Sequence, residues 1–217
     1  MSPRKAAALR DGTDGLSLRE HLVATAGRLI AERGTTGLTV RDIARAARVA
    51  DGVLYNHFEG KEELLALALH AHVRSVERDL GPLPARPGEG TVAGNLRACL
   101  TYGLALHRAF LPAFAGLLPQ PEVLARFDAL PNPLGEGRGL QAMLAGYLRA
   151  ERDLGRLTPS ADPEAAATLL VGVCHELVLP RLLRGAPVPA DVPPATADAL
   201  IATLMNGLAP SGVACTS

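Results

Sequence analysis

Residues 39–61, TVRDIARAARVADGVLYNHFEGK, constrain the fold more than any other stretch of the chain. Their apolar positions recur at helical spacing and predict a short amphipathic helix. Those positions are Val40, Ile43, Ala44 and Ala47. Thr39 is a suitable N-cap for this helix, and a second helix is predicted over 51–56 after a tight turn. Two short helices joined in this way indicate a helix-turn-helix, whose second helix enters the major groove of DNA.

The same residues resemble the DNA-binding domain of the TetR family of bacterial transcriptional regulators. The resemblance rests on TVRDIA at 39–44, GVLYNHF at 52–58 and KEELL at 61–65. It implies an all-α protein with an N-terminal three-helix helix-turn-helix DNA-binding domain and a C-terminal helical domain for ligand binding and dimerisation. The pattern departs at Ala50, where the family often has a hydroxyl residue that caps the second helix. We expect Asp51 to take over this cap.

The resemblance also implies which residues contact DNA. The positions expected on backbone phosphates are Thr39, Tyr55, His57 and Lys61. The positions expected to face the groove are Arg41, Gly52, Val53 and Asn56. Hydroxyl, imidazole and ammonium groups are suitable phosphate donors. A guanidinium suits guanine O6 and N7, a valine suits a thymine methyl, and Asp51 beside them could accept from cytosine N4.

The charge of the chain restricts how it could bind a nucleic acid. Among 217 residues, 22 Lys and Arg balance 22 Asp and Glu, so the whole chain has no positive field. Residues 1–61, however, contain ten Lys and Arg against seven Asp and Glu. Affinity for DNA would therefore depend on a local basic patch in this segment.

The remaining sequence predicts helices throughout, since Ala, Leu and Arg dominate and strand signals are almost absent. We expect a disordered tail over 1–16, the DNA-binding domain over 17–60, and an effector-binding and dimerisation domain over 61–217. The helix that begins at Lys61 would link the two domains. Proline should interrupt later helices, at Pro112 and at Pro180.

Two helices near the C-terminus are unusually apolar. Asp162-Pro163 marks the start of the first, and the second is predicted over 194–208. A helix without a polar face needs a core or a partner chain, and this pair resembles the helices through which the family forms homodimers as a four-helix bundle. His175-Glu176 interrupts the first helix and could lie in the dimer seam, face a pocket or form a general-base site.

Aromatic and sulfur-containing side chains are concentrated in the middle helices. They could form a simple core, or they could line a largely apolar pocket for a small-molecule effector, as the family resemblance implies. The candidate ligand-binding residues are Cys99, Tyr102, His107, Phe110, Phe114, Met143, Tyr147 and His175.

No catalytic site, metal site or cofactor is predicted. The six histidines and three cysteines lack metal-ligand spacing, and the glycines at 135, 137 and 139 lack the strand that precedes a nucleotide-binding loop. The N-terminus lacks the apolar core of a signal peptide, and no run of 18 residues is continuously apolar. We therefore expect no membrane span and a cytoplasmic bacterial protein, associated with the nucleoid when bound to DNA.

Together these features predict a sequence-specific DNA-binding transcriptional regulator, namely a repressor that a small-molecule effector releases from a palindromic operator in double-stranded DNA. The alternative is a helical ligand-binding or enzymatic protein whose helix-turn-helix has lost its DNA function.

Overall fold

The computed structural model describes residues 17–131 and 139–207, and within these ranges the chain forms eight α-helices and one short 3₁₀ helix but no strand. The α-helices are α1 (Leu18–Arg33), α2 (Val40–Ala47), α3 (Lys61–Leu80), α4 (Val92–Ala115), α5 (Pro121–Asp128), α6 (Leu140–Asp153), α7 (Pro163–Leu183) and α8 (Pro194–Asn206). The 3₁₀ helix, Asp51–Asn56, lies between α2 and α3. The all-α prediction is confirmed. The predicted tail 1–16 lies outside the described residues, as do Gly135 and Gly137.

Side-chain caps fix the first turns of the N-terminal helices. Ser17 and Glu20 form a capping box before α1, and Thr39 and Asp42 form another before α2. The Ser17 amide and the Thr39 hydroxyl donate to the two carboxylates and lower the pKa of Glu20 and Asp42, respectively. At α7, the Asp162 carboxylate accepts from two amides of the first turn. The starts of α2 and α7 agree with the sequence prediction because every partner is within three residues.

The helices group into two compact units. Described residues 17–81 and 108–131 form the first unit, and 82–107 and 139–207 form the second. The helix that begins at Lys61 lies entirely within the first unit, whereas α4 contributes residues to both. The units therefore divide the chain differently from the predicted domains, which separated at residue 60.

The core of the first unit lies where α1 and α5 pack against α3. A Cβ atom at Gly27 would lie 3.3 Å from the Ala68 carbonyl oxygen, so this glycine permits a close approach of α1 to α3. Burying one such leucine or isoleucine side chain stabilises a fold by about 1.5–3 kcal/mol. The largest fully buried side chains of this core are Leu22, Ile30, Ile43, Leu64, Leu65, Leu69 and Leu117.

Pro112 and Pro180 lie inside α4 and α7, so the prediction that Pro112 ends a helix was wrong, and Pro180 does not end α7. Proline has a helical φ and removes only its own N–H donor, so a well-packed helix can continue through it. The loop between α1 and α2 supplies such packing at Pro112. The Thr35 hydroxyl donates to the Ala113 carbonyl at 2.7 Å, and a Cβ at Gly34 would lie 2.9 Å from the Pro112 carbonyl oxygen.

In the second unit, α6 packs against α7 and leaves part of α7 uncovered. Leu170, Cys174 and Val178 are buried, whereas Leu169 is 62% exposed. Over an 18-residue window α7 has a mean hydropathy of 1.5, with 22% of the window buried. By length and composition alone α7 could therefore cross a membrane, and the expectation of no membrane span stays a prediction. Core helices of soluble proteins meet the same criterion.

Substitution of Gly116, directly after α4, and of Gly146, inside α6, should change stability in opposite directions. A Cβ at Gly116 would meet the Thr35 hydroxyl and lie 2.5 Å from the Thr36 amide nitrogen. Since a backbone atom cannot yield cheaply, Gly116→Ala should lower the free energy of unfolding by about 1–3 kcal/mol. A Cβ at Gly146, inside α6, meets no atom within 4 Å, so Gly146→Ala should raise it by about 0.5–1 kcal/mol.

Urea denaturation of the full-length variants at one protein concentration measures both changes. Equal stability of Gly116→Ala and Gly146→Ala would contradict the close contact between the end of α4 and the loop that follows α1.

Candidate nucleic-acid interface

All eight residues predicted to contact DNA lie in the first unit, at the starts of α2 and α3, in the 3₁₀ helix between them and, for His57, directly after that 3₁₀ helix. None of the eight is buried. The exposed residues are Thr39, Arg41, Gly52, Tyr55 and Asn56, and the half-buried residues are Val53, His57 and Lys61. Leu54 and Phe58, which alternate with them, are buried and hold the segment against the core. The segment thus presents polar groups to solvent on an apolar support.

A three-residue turn joins α2 to the 3₁₀ helix. Arg48 ends α2 in the left-handed conformation, with φ 57°, and its neighbour Val49 donates to the Ala44 carbonyl at 3.0 Å. The predicted cap by Asp51 was wrong, since the helix begins at Asp51 itself and Ala50 precedes it without a side-chain cap. The Asp51 carboxylate instead lies 3.5 Å from Nε of Arg41 on α2.

Arg19 on α1 fixes the turn between the 3₁₀ helix and α3. Its Nε donates to the His57 carbonyl at 3.3 Å, and its guanidinium carbon lies 4.9 Å from the centre of the Phe58 ring. Its Nη2 forms an ion pair with Glu63 at 2.5 Å, and Glu63 also accepts from the Glu59 amide at 2.7 Å. The turn that positions His57 and the start of α3 is therefore held from three sides.

Sequence reasoning missed Arg19, because its partners are 38 and 44 residues away and no local pattern marks them. The sequence does show a cation on the polar face of α1, but a solvated surface arginine has the same pattern.

Several cations lie within this segment or next to it. Arg41, Arg45 and Arg48 are exposed along α2 and its C-terminal cap. Lys61 is the first residue of α3, where backbone N–H groups already favour an anion. Because phosphate contacts from Lys and Arg supply most of the sequence-independent affinity for DNA, this arrangement suits the backbone of a duplex.

The candidate ligand-binding residues are divided between the two units. Phe110 and Phe114 belong to the first, where Phe110 packs edge-on against His72 and Phe114 against Phe127, with ring centres 6.4 and 5.5 Å apart. The other six belong to the second unit. They are Cys99, Tyr102, His107, Met143, Tyr147 and His175. Their role in ligand binding stays a prediction.

Within the second unit the structure brings two of these residues into contact. The rings of buried His107 and exposed His175 are 4.5 Å apart, edge to face. His107 Nδ1 donates to the Gly103 carbonyl at 2.6 Å, and burial lowers the pKa of His107. The buried imidazole is therefore neutral at pH 7.

Tyr147 belongs to a second buried polar group. Asn95 donates to its hydroxyl at 2.9 Å, and burial raises the pKa of Tyr147 to about 12. One turn along α6, Glu151 is fully buried, and its Oε1 accepts from the Gly88 amide at 3.3 Å. Its Oε2 lies 3.3 Å from Nε of Arg156 without hydrogen-bond alignment. This group connects α6 to the loop before α4.

The two buried cysteines have raised pKa values. Burial raises the pKa of Cys99 to about 12 and that of Cys174 to about 11. Thiols with such values stay protonated at neutral pH and react slowly, so both act as apolar core residues. Among the described residues, no group of three or more His, Cys, Asp or Glu could hold a metal ion.

The fold and the exposed segment define a helix-turn-helix protein, and comparisons with known proteins show which regulators it is similar to. Residues 22–68 match the family model for bacterial regulatory proteins of the tetR family. The HTH-type transcriptional repressor KstR2 of Rhodococcus jostii (strain RHA1) is 48% identical over 56 residues, 25% of this chain and 28% of KstR2. The HTH-type transcriptional repressor NemR of Escherichia coli (strain K12) is 26% identical over 155 residues, 70% of this chain and 77% of NemR.

A solved structure extends the similarity to the rest of the chain. The TetR family transcription regulator SCO0332 covers 89% of this chain and 99% of its own, with a TM-score of 0.54 and 26% identity. These similarities support a regulator of the TetR family. A further similarity, to the bifunctional protein FolD of Synechococcus sp. (strain RCC307), is 31% identity over 157 residues, 70% of this chain and 49% of FolD.

Proposed function

We propose that this protein is a sequence-specific DNA-binding repressor that binds a palindromic operator as a homodimer and is released by a small-molecule effector. The exposed donors of the helix-turn-helix, supported by buried Leu54 and Phe58, are the observation that carries the proposal. KstR2 and NemR, both named transcriptional repressors, support it.

An enzyme or ligand-binding protein without DNA function is the rival proposal, and the similarity to FolD is the observation in its favour. That similarity spans half of FolD. The family match, in contrast, covers the segment in which Arg41 and Tyr55 are exposed and Lys61 is half-buried. A regulator explains this exposed segment, whereas an enzyme would leave it without a role.

Residues of the helix-turn-helix should differ in whether they contribute to affinity for any DNA or to the preference for one sequence. Lys61→Ala and Tyr55→Phe should weaken binding to all sequences alike, since both remove phosphate donors. Arg41→Ala should cost about 1–3 kcal/mol on the preferred operator and relax the preference at one base pair. Titration of full-length variants into selected and scrambled duplexes, at two salt concentrations, measures these effects.

Glu32→Ala, which changes an exposed ion pair with Arg28 on α1, is the control for a change in surface charge. If all three variants lost the same affinity on selected and scrambled DNA, the assigned roles would be refuted.

The homodimer follows from an uncovered apolar groove on the second unit. The groove has a volume of about 540 Å³ and lies between α7 and α8. Apolar residues line most of it, among them Leu169, Val173, Leu200 and Leu204. Apolar area gains roughly 25 cal/mol per Å² when it leaves water, and a palindromic operator presents two equivalent half-sites. A second copy of the same chain satisfies both requirements.

Leu204→Arg should disrupt the dimer, because a guanidinium in the middle of the groove would be buried without a partner. Monomers or aggregates should appear in sedimentation, and operator affinity should fall by at least about tenfold, since one helix-turn-helix then binds alone. The matched control is Leu118→Arg, at an exposed leucine of the first unit, which should stay dimeric.

A folded Leu204→Arg monomer with unchanged operator affinity would rule out the proposed dimer. Recovery of the wild-type chain in the membrane fraction would instead assign the apolar face of α7 to lipid.

Release by an effector requires a ligand that binds one state of the protein better than the other. We propose α4 as the element that transmits the change, because it contributes residues to both units. In the first unit its last turns are held by two side chains. Thr35 donates to the Ala113 carbonyl at 2.7 Å, and His72 Nε2 lies 3.1 Å from the Ala109 carbonyl.

A compound that stabilises the protein in a thermal-shift screen of apolar and amphipathic molecules should also lower operator affinity. We expect a coupling of about 1–3 kcal/mol, and the operator should weaken binding of the compound by the same factor. Thr35→Val should keep compound binding but reduce this coupling, because it removes the hydrogen bond to α4. Thr36→Val, at the exposed neighbouring threonine, is the control. A stabilising compound that leaves operator affinity unchanged would argue against an effector site.

A further inference from the structure

We infer that Asp51 determines base specificity by orienting the guanidinium of Arg41, so that the two side chains together form one reader of a guanine. The inference rests on the proposed DNA-binding function and adds a residue to it. It starts from the ion pair between Arg41 Nε and Asp51 Oδ2, 3.5 Å long, which joins the first turn of α2 to the first residue of the 3₁₀ helix.

Both partners project from the protein surface. The side chain of Arg41 is 82% exposed and that of Asp51 is 57% exposed. Neither is used to hold the local fold, since α2 is capped by Thr39 and the 3₁₀ helix has no side-chain cap. An exposed ion pair contributes little to folding stability. Its effect should therefore show in what the surface binds.

A carboxylate beside the DNA-binding cations lowers the affinity for DNA unless a cation pairs with it, because DNA phosphates repel it. Arg41 is the cation that the structure places beside Asp51. In this pair the negative Asp51 carboxylate lies beside a guanidinium that is predicted to enter the groove. Loss of water there strengthens the attraction between the two charges. Asp51 can therefore stay close to DNA without a net loss of affinity.

The geometry of the pair suits guanine. A guanidinium has five N–H donors in a planar fork. The observed contact uses Nε, so both terminal Nη groups are available for the two major-groove acceptors of guanine, O6 and N7. A free, exposed arginine would lose rotamer freedom on binding, and an arginine already held by a carboxylate loses less. By holding Arg41 in this orientation, Asp51 thus favours guanine, the one base that presents two acceptors in the major groove.

The experiment begins with selection of a random duplex library by the full-length wild-type protein. Arg41→Ala then identifies the base pair at which the preference for guanine depends on Arg41. At that base pair, dissociation constants are compared for guanine, adenine and 7-deazaguanine, which lacks the N7 acceptor. Asp51→Ala should lower the preference for guanine over adenine by about two- to fivefold, and it should add no further loss in the Arg41→Ala background.

Asp51→Asn separates orientation from charge, since an amide oxygen can still accept from Nε. It should retain more of the guanine preference than Asp51→Ala. Glu32→Ala removes a similarly exposed carboxylate from an ion pair on α1 and should leave the guanine preference unchanged. Circular dichroism and thermal unfolding should be the same for all variants, because these side chains are exposed.

Two results would overturn the inference. In the first, Asp51→Ala changes affinity for every duplex alike and keeps the guanine preference. In the second, it changes the preference at a base pair that Arg41→Ala does not affect, which would make Asp51 a separate reader of cytosine N4. Failure of the wild-type protein to enrich any sequence would be a failure of the proposed function itself, and it is recognised before any Asp51 variant is tested.

Discussion

The close packing of α1 on α3 is the contact on which the DNA-binding segment depends. Gly27 lets the two helices approach, and fully buried leucines such as Leu22 and Leu65 fill the space between them. Helices as short as α2 and the 3₁₀ helix are not stable in isolation. They keep their shape because Ile43 and Leu54 are buried against this framework. The positions of the exposed donors therefore depend on the packing of the core beneath them.

Arg19 extends the same framework to the surface. It contacts the His57 carbonyl, the Phe58 ring and the Glu63 carboxylate, which together define the turn into α3. A reader of DNA needs its side chains held by neighbours, since misplacement weakens hydrogen bonds to bases. We propose the same role for the ion pair of Arg41 with Asp51.

The second unit presents the opposite arrangement, with an apolar surface left uncovered. One side of α7 is buried, through Leu170, Cys174 and Val178, whereas Leu169 faces solvent. A surface of this kind marks an interaction site. In the proposed homodimer, a second copy of the chain covers this surface and supplies the second helix-turn-helix for a palindromic operator. Among the buried polar residues of this unit, Tyr147 accepts from Asn95, and Glu151 accepts from the Gly88 amide through Oε1.

The sequence by itself determined the features whose partners are close along the chain. Both capping boxes, the limits of the 3₁₀ helix and the stop of α3 before Gly81 could be predicted, since each depends on residues within one turn. Tertiary structure decided the rest. Helix α4 continues through Pro112 against Thr35, and Asp51 pairs with Arg41 across the turn instead of capping its own helix. Both contacts join residues of different elements, and the choice among competing partners of this kind is made only when the whole core packs.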